Sequence, residues 1–146
     1  MMSQLVLKLF VYPEEFSQMQ VIRRSVFQEE QGVDPALEFD GLDETADHLL
    51  AYLDNQPVGT ARIRYLNQHT AKVERLAVLS EARGKGLGKK LMEKALDVAA
   101  KKNIEEVVVN AQDYVKSLYE QLGFEQVGER FDEAGIAHVK MVKRLG

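Results

Sequence analysis

A basic, glycine-rich segment at residues 83–88 (RGKGLG) has residue types and spacing that suit anion binding. Apolar residues at helical spacing follow it, so the segment stands at the predicted start of a helix. Backbone N–H groups and the positive end of a helix dipole bind anions at such a position. The glycines allow close approach, and Arg83, Lys85 and Lys89 add mobile positive charge. The segment predicts a phosphate or pyrophosphate site.

Two familiar phosphate loops do not fit this spacing. A Walker loop requires G-x-x-x-x-G-K-[ST], but Gly88 and Lys89 are followed by Lys90, and no glycine stands five residues before Gly88. The dinucleotide fingerprint G-x-G-x-x-G fails because the third glycine comes one residue early and no acidic ribose partner is evident about 20 residues on. A flexible turn whose lysines aid solubility is the alternative interpretation.

The elements that must position this loop follow from hydrophobic periodicity. Pro13 is typical of a helix start, and Gly123 is typical of a left-handed helix end. Residues 33–47 have no clear period, so we expect a loop with room for one helical turn. The order predicts an α/β fold with a mixed, mainly antiparallel sheet of about seven strands. The predicted strands are 5–11, 48–53, 58–66, 70–79, 106–110, 124–131 and 136–144, and the predicted helices are about 14–30, 86–102 and 115–122.

Composition limits the class of protein. With 146 residues, 45% apolar and 29% charged, the chain predicts one domain over residues 1–146. No apolar run approaches the roughly 20 residues that span a bilayer, and residues 1–4 do not resemble a signal sequence, so we expect a cytoplasmic protein without a membrane partner. The absence of cysteine excludes disulfides, cysteine thiolate nucleophiles and sulfur metal sites. The net charge of −4 argues against nucleic-acid binding.

Two motifs in the same order resemble the GNAT superfamily of acyl-CoA-dependent N-acyltransferases. Residues 83–88 match its pattern [Q/R]-x-x-G-x-[G/A], between a predicted strand and a long amphipathic helix. Residues 118–124 (LYEQLGF) are similar to its F-Y-x-x-x-G-F segment, although Leu118 replaces the usual aromatic residue. Asn110 ends the strand before that segment.

A narrower resemblance, to the ElaA/YjcF-like branch, covers nearly the whole chain. Ala137 departs from the proline that is usual there. The residues that carry the likeness are Arg24-Ser25-Val26-Phe27, Glu30-Gln31, Asp40-Gly41-Leu42-Asp43, His48, Asn110-Ala111-Gln112 and Glu133-Ala134-Gly135-Ile136-Ala137-His138.

The resemblance implies acetyl-CoA as co-substrate and direct transfer of its acetyl group to an amine. It also implies that the sheet splays apart between strand 70–79 and the strand that ends at Asn110. Backbone N–H groups there, Val78 among them, would hold the pantetheine and polarise the thioester carbonyl. The residues implied for CoA binding are Leu76, Ala77, Val78, Arg83, Gly84, Lys85, Gly86, Leu87, Gly88, Lys89 and Asn110.

Transfer to an ammonium substrate requires a base, and the departing thiolate benefits from an acid. Tyr119 matches the family's tyrosine near the sulfur and is the candidate acid; its alternative role is a core aromatic. Glu74 lies centrally in strand 70–79 and is the candidate base. Glu74 could equally be a cross-strand partner of Arg62 or Arg64, and ordered water leading to solvent could serve as the base instead.

An acidic stretch is the candidate acceptor site. Residues 25–61 contain no Lys or Arg, so Glu38, Asp40 and Asp43 could draw a cationic amine toward the acetyl group. A solvated loop is the alternative. His48 and His138 could line the same site, although a lone histidine at a strand end is usually structural. We expect no metal, because the chain has no H-E-x-x-H and no calcium-loop pattern.

The sequence thus predicts an N-acetyltransferase that acts on a primary amine of a small molecule. Two alternatives stay open: a CoA-binding sensor or interaction module without catalysis, and an enzyme that acetylates a protein lysine or N-terminus. Since members of the superfamily often form dimers, the resemblance also implies a homodimer as a candidate assembly.

Overall fold

A computed structural model describes residues 4–38 and 40–145, so residues 1–3, where no signal sequence was expected, lie outside it. The fold is built on one mixed sheet in the order β1-β2-β3-β4-β5-β7-β6, in which β4 and β5 run parallel and the other described neighbours run antiparallel. This confirms the predicted fold class. The strands are β1 (Leu5–Val11), β2 (Asp47–Leu53), β3 (Gln56–Tyr65), β4 (Thr70–Val78), β5 (Glu106–Gln112), β6 (Glu125–Glu133) and β7 (Ile136–Arg144).

Helices cover both faces of the sheet. The helices are α1 (Phe16–Arg23), a π-helix (Arg24–Glu30) that continues it, α2 (Pro35–Glu38), α3 (Leu87–Lys101) and α4 (Lys116–Gln121). Successive strand residues point to opposite faces. In β2, Leu49 accordingly joins the core cluster beneath α3, while Leu50 joins the cluster beneath α1. No helix within the described ranges is long and apolar enough to cross a membrane.

The helices predicted from hydrophobic spacing are present, but the first one differs from the prediction in where it begins and in how its second half winds. Tyr12–Glu15 form a turn and α1 begins at Phe16, so the start predicted near Pro13 is wrong. The second half winds as a π-helix, in which the N–H of Gln31 donates to the carbonyl of Val26. Such segments often occur at functional sites. Gly123 has φ +91°, which confirms its left-handed cap.

The sheet opens between β4 and β5. Their ladder joins only Thr70–Lys72 to Glu106–Val108, and each strand then continues without pairing to the other. The opening of the sheet expected from the family resemblance is therefore present.

A β-bulge in β4 lies beside this opening. Glu74 pairs with Arg62 and Ala77 pairs with Thr60, so two residues of β4, Arg75 and Leu76, face one residue of β3. Arg75 adopts φ 57°, a left-handed conformation that is costly for a residue with a side chain. Bulges of this kind bend a strand and redirect its side chains and amides. The bulge thus lies in the part of β4 that no longer pairs with β5.

Candidate active site

A cavity of about 1070 Å³ occupies the opening between β4 and β5. The glycine loop, the π-helix, α2 and the β6–β7 hairpin enclose it. Cavities that bind cofactor-sized ligands usually measure about 300–1,000 Å³, so this one has room for a donor and an acceptor together. One end of the cavity lies at the start of α3, and the other lies over polar residues of β3 and β4.

The glycine loop forms the first end of the cavity. Gly84 and Gly86 have φ values of +80° and +74°, and a Cβ at either position would meet no atom within 4 Å. The loop therefore presents bare backbone to open space at the start of α3, a helix of 15 residues. This arrangement fits a diphosphate. Gly84, Gly86, Leu87, Gly88 and Lys89 line the cavity, whereas Lys85 is exposed and lies outside the lining.

Arg83 lines the cavity but is paired with protein groups, which differs from the expectation that it supplies mobile charge. Its Nη2 donates to Oε1 of Glu30 at 2.6 Å, and its Nη1 donates to the other oxygen. Its Nε donates to the carbonyl of Val78 at 3.0 Å. The hydrogen bond from Arg83 lowers the pKa of Glu30. Arg83 therefore ties the glycine loop to the π-helix and to the end of β4.

The end of β4 presents backbone to the cavity. Leu76, Ala77 and Val78 all line it. The N–H of Leu79 donates to the carbonyl of Val58 in β3 at 2.8 Å. Because successive N–H groups of a strand point to opposite sides, the N–H of Val78 is directed toward β5, where β4 has no ladder partner. This geometry fits the role expected for Val78.

Tyr119 is a core aromatic residue whose side chain also reaches the cavity. It belongs to the core cluster, is 6% exposed, and packs edge-on against Phe124 with 5.7 Å between the ring centroids. It also lines the cavity. Burial, with a smaller effect from Tyr114, raises the pKa of Tyr119 to about 12. The phenol is therefore protonated at neutral pH, as a proton donor must be.

Asn110 and His138 meet at the wall formed by β5 and the β6–β7 hairpin. The Nδ2 of Asn110 donates to Oε1 of Glu133 at 3.3 Å. The Nδ1 of His138 donates to the carbonyl of Ile136 at 2.7 Å, and its Nε2 lies 3.5 Å from Oε2 of Glu133. Asn110, Glu133 and His138 all line the cavity. The structure therefore brings these two predicted site residues together around Glu133, to which the sequence assigned no role.

Glu74 lies at the polar end of the cavity in an ionic cluster. The Nη2 of Arg62 donates to its Oε1 at 2.6 Å, Nε of Arg64 donates to the same oxygen, and Nζ of Lys72 lies 3.6 Å from its Oε2. Burial raises the pKa of Glu74, but these cations outweigh that effect and hold the pKa below its ordinary value. The cross-strand interpretation describes the observed contacts, and the lowered pKa makes Glu74 a weak base.

The loop carboxylates Asp40 and Asp43 pair with arginines, although Asp40 also lines the cavity. Asp40 accepts hydrogen bonds from Nη1 and Nη2 of Arg62 at 2.8 and 2.7 Å, and from Arg75 at 3.1 Å. Asp43 accepts from Nη1 of Arg23 at 2.8 Å and from Arg62 at 3.1 Å. The hydrogen bonds from Arg62 hold the pKa of Asp40 well below its ordinary range. Local pairing thus offsets the negative potential expected from this loop.

His48 does not reach the cavity, which corrects its assignment to the acceptor site. Its side chain is 0% exposed, and its Nε2 donates to the carbonyl of Asp43 at 2.9 Å. Its ring stacks on Phe10 with 5.2 Å between centroids. Burial lowers the pKa of His48, so the ring is neutral at physiological pH. The residue supports the loop from within the core.

Glu38 is the one acidic residue among those predicted for the acceptor site whose carboxyl group is left without a partner in the described part of the chain. The residue is 2% exposed, it contributes to the cavity wall, and neither of its carboxyl oxygens has a hydrogen-bond partner within residues 4–38 and 40–145. Burial raises the pKa of Glu38, an effect that the charges of Arg23 and Arg75 only partly oppose.

Replacing Glu38 by glutamine should stabilise the protein progressively as pH rises. A carboxyl whose pKa is higher in the folded state than in the unfolded state contributes stability below the ordinary value of 4.5 and loses it as pH rises through the folded pKa. The variant lacks this loss. Urea unfolding at a series of pH values from about 4.5 upward should give a difference in unfolding free energy, variant minus wild type, that increases with pH. Glu93→Gln, at an exposed position of α3, is the control. A difference that is independent of pH would contradict a raised pKa of Glu38 in the folded protein.

Arg75 is a site residue that sequence analysis missed. Its Nη2 donates to the carbonyls of Leu37 and Glu38 at 3.2 Å each, and to Asp40. The side chain of Arg75 therefore connects the end of β4 to the C-terminal end of α2 and to Asp40. No local pattern signals it, because a bulge depends on how β3 pairs with β4.

A pair of amides joins the two sides of the opening. The Nε2 of Gln112, at the end of β5, donates to Oε1 of Gln31 at 3.0 Å. Gln31 follows the π-helix, so this contact links the π-helix to β5 across the cavity. Glu30 and Gln31 fall within the sequence likeness to the ElaA/YjcF-like branch, which was the available signal for them. In the described ranges, no group of three or more potential ligand side chains is placed to hold a metal ion.

Comparisons with known proteins agree with this geometry. The family described as acetyltransferase (GNAT) domain matches residues 13–145. The uncharacterized protein YyaT of Bacillus subtilis is 40% identical over 127 residues, which is 85% of each chain. The crystal structure of Escherichia coli ElaA matches with a TM-score of 0.86 and 26% identity, over 96% of this chain and 99% of that one.

A structure of a GNAT family acetyltransferase from Elizabethkingia anophelis with acetyl-CoA bound shares the fold. Its TM-score is 0.72 at 16% identity, over 97% of this chain and 98% of that one. The family match and the 40% identical relative carry the assignment, and the match to ElaA confirms the branch. The chain is an acyltransferase that belongs to the GNAT acetyltransferase family.

Proposed function

We propose that this protein transfers the acetyl group of acetyl-CoA directly to a primary amine of a small molecule. The observation that carries the proposal is the continuous cavity, which runs from the bare backbone at the start of α3, past Tyr119, to the polar residues of β3 and β4. Its two ends differ in chemistry, since one suits a diphosphate and the other suits a polar acceptor. The acyl group would meet the acceptor between them.

The donor end would bind CoA through backbone groups and Lys89. The amides of residues 84–89 would hold the diphosphate at the positive end of α3. The N–H of Val78 would donate to the thioester oxygen, and donors of this kind contribute roughly 2.7–4 kcal/mol to lowering a barrier. Asn110 lies on the opposite side of the opening and would contact the pantetheine arm. Acetyl-CoA supplies the acyl group when it is bound.

The chemistry requires two proton losses from the acceptor nitrogen and one proton gain by the thiolate. The acceptor ammonium loses one proton, its nitrogen forms a bond to the acetyl carbon, the carbon–sulfur bond breaks, and the nitrogen loses its second proton to solvent as the amide forms. The hydroxyl of Tyr119 donates its proton to the departing thiolate, and solvent restores that proton. Cations hold the pKa of Glu74 low, so we propose that Glu74 orients a water that carries the amine proton to solvent.

Thiol release from acetyl-CoA tests the proposal. Purified protein is incubated with polyamines, amino sugars, amino acids and a lysine-containing peptide with a free N-terminus. We expect turnover with at least one small amine well above the rate without acceptor. Turnover with the peptide alone would favour a protein acetyltransferase. Tight CoA binding in calorimetry without any turnover would favour a sensor, and neither binding nor turnover would contradict the proposal.

A further inference from the structure

The polar end of the cavity lies over an ionic cluster that contains more cationic than anionic side chains. Five cationic side chains meet four carboxyl groups in one connected cluster on the face of the sheet that α1 covers. Strand register places its central members together, with Arg62 opposite Glu74 and Arg64 opposite Lys72. The cations are Arg23, Arg62, Arg64, Lys72 and Arg75, and the carboxyl groups are Glu38, Asp40, Asp43 and Glu74.

The carboxylates of the cluster are already used by its buried arginines. Asp43 pairs with Arg23, and Asp40 binds both terminal nitrogens of Arg62. The single carboxylate of Glu74 is shared by three cations, Arg62, Arg64 and Lys72. Burial also raises the pKa of Glu38, whose carboxyl oxygens have no hydrogen-bond partner within the described residues.

Two of the cations that line the cavity have hydrogen-bond donors that no protein group within the described residues accepts. Of the three guanidinium nitrogens of Arg64, only Nε forms a hydrogen bond to protein within the described residues. The Nζ of Lys72 lies 3.6 Å from the carboxylate of Glu74, beyond normal hydrogen-bond distance. Their side chains are 23% and 20% exposed, and both residues line the cavity. A partly buried cation without its full set of acceptors favours an anionic ligand.

A carboxylate on another wall offers the complementary group. Glu133 lines the cavity beside Asn110, and within residues 4–38 and 40–145 the only basic side chain near its carboxylate is His138, at 3.5 Å. No Lys or Arg of the described chain pairs with it. An ammonium group would therefore find a carboxylate beside the residue that we expect to contact the pantetheine arm.

From these contacts we infer that the acceptor is a small amine that also carries an anionic group: Arg64 and Lys72 bind the anion, and Glu133 binds the ammonium. The inference rests on the proposed function and narrows its substrate class. It also reverses the simpler expectation from the sequence, in which an acidic loop selects cationic amines. A carboxylate or a phosphate meets the same requirement, so the test includes both.

Matched acceptors test the inference. 4-Aminobutyrate is compared with butylamine, and phosphoethanolamine with ethanolamine, in wild type, Lys72→Met, Glu133→Gln and the control Lys101→Met. Lys101 is an exposed residue of α3 outside the cavity. We expect kcat/KM to favour the anionic member of at least one pair by about tenfold or more in wild type, equivalent to roughly 1.4 kcal/mol. The ratio should fall severalfold in Lys72→Met, mainly through KM, and stay unchanged in Lys101→Met. The pair that responds identifies carboxylate or phosphate.

Glu133→Gln should weaken both members of each pair alike, because both carry the ammonium. Saturation-transfer NMR of the four amines gives a readout without turnover. Binding of the anionic amines that depends on Lys72, in the absence of any turnover, would support the subsite while contradicting the proposed function. A preference for the neutral amines, a ratio unchanged in Lys72→Met, or no selective binding by either method would overturn the inference.

Discussion

Replacing Tyr119 by phenylalanine is expected to lower kcat by about 100-fold or more, since a positioned proton donor contributes roughly 10²–10⁴-fold to a rate. The change removes one hydroxyl and keeps the ring that packs against Phe124, so the core around α4 should be preserved. In the proposed reaction, the hydroxyl acts on the departing thiolate and not on the bound thioester. The Kd for acetyl-CoA should therefore stay close to that of wild type while turnover falls.

Steady-state thiol release and calorimetry with CoA check this result together. Tyr12→Phe is the matched control, because Tyr12 packs on Phe16 outside the cavity and loses the same hydroxyl. An activity of Tyr119→Phe equal to that of the control would show that the residue is a core aromatic and that another group protonates the thiolate. A large loss of CoA affinity together with turnover would assign Tyr119 to binding instead of acid catalysis.

Replacing Gly86 by alanine should weaken CoA binding by about tenfold or more, equivalent to roughly 1.4 kcal/mol. In the structure, the added Cβ meets no protein atom within 4 Å, so it enters the space where we place the diphosphate. The loss should therefore appear in affinity more than in folding. Calorimetry with CoA measures the first, and thermal unfolding without ligand measures the second.

Gly128 supplies the control for backbone strain. It has φ +80° and equally open surroundings, but it lies in β6, outside the cavity. Gly128→Ala should therefore lose a comparable amount of stability, since both positions require a left-handed backbone, and keep full CoA affinity. Equal CoA affinity in the two variants would place the diphosphate elsewhere.

The regular elements of the fold could be predicted from sequence because local patterns determine them. Leu87, Leu91 and Ala95 recur at helical spacing and are buried on one face of α3. The turn at Gly123 has the left-handed conformation that its glycine indicates. The opening between β4 and β5, in contrast, was expected only through the family resemblance.

The features that could not be predicted from the sequence depend on contacts between segments that are distant along the chain. The bulge at Arg75 exists because β3 and β4 shift register, and neither strand alone encodes that shift. Asp40 and Asp43 have no basic residue near them in the sequence, since no Lys or Arg occurs in residues 25–61. Their partners, Arg23 and Arg62, come from just outside that stretch and are buried beneath it. Charge counted along the chain therefore misjudged the potential of the folded site.

The most direct test of the account is a crystal structure of the protein with CoA. We expect the diphosphate on the amides of residues 84–89, and the pantetheine between β4 and β5 with its sulfur near the hydroxyl of Tyr119. A structure with the glycine loop empty and the nucleotide bound on another surface would contradict the donor site on which the proposed reaction depends.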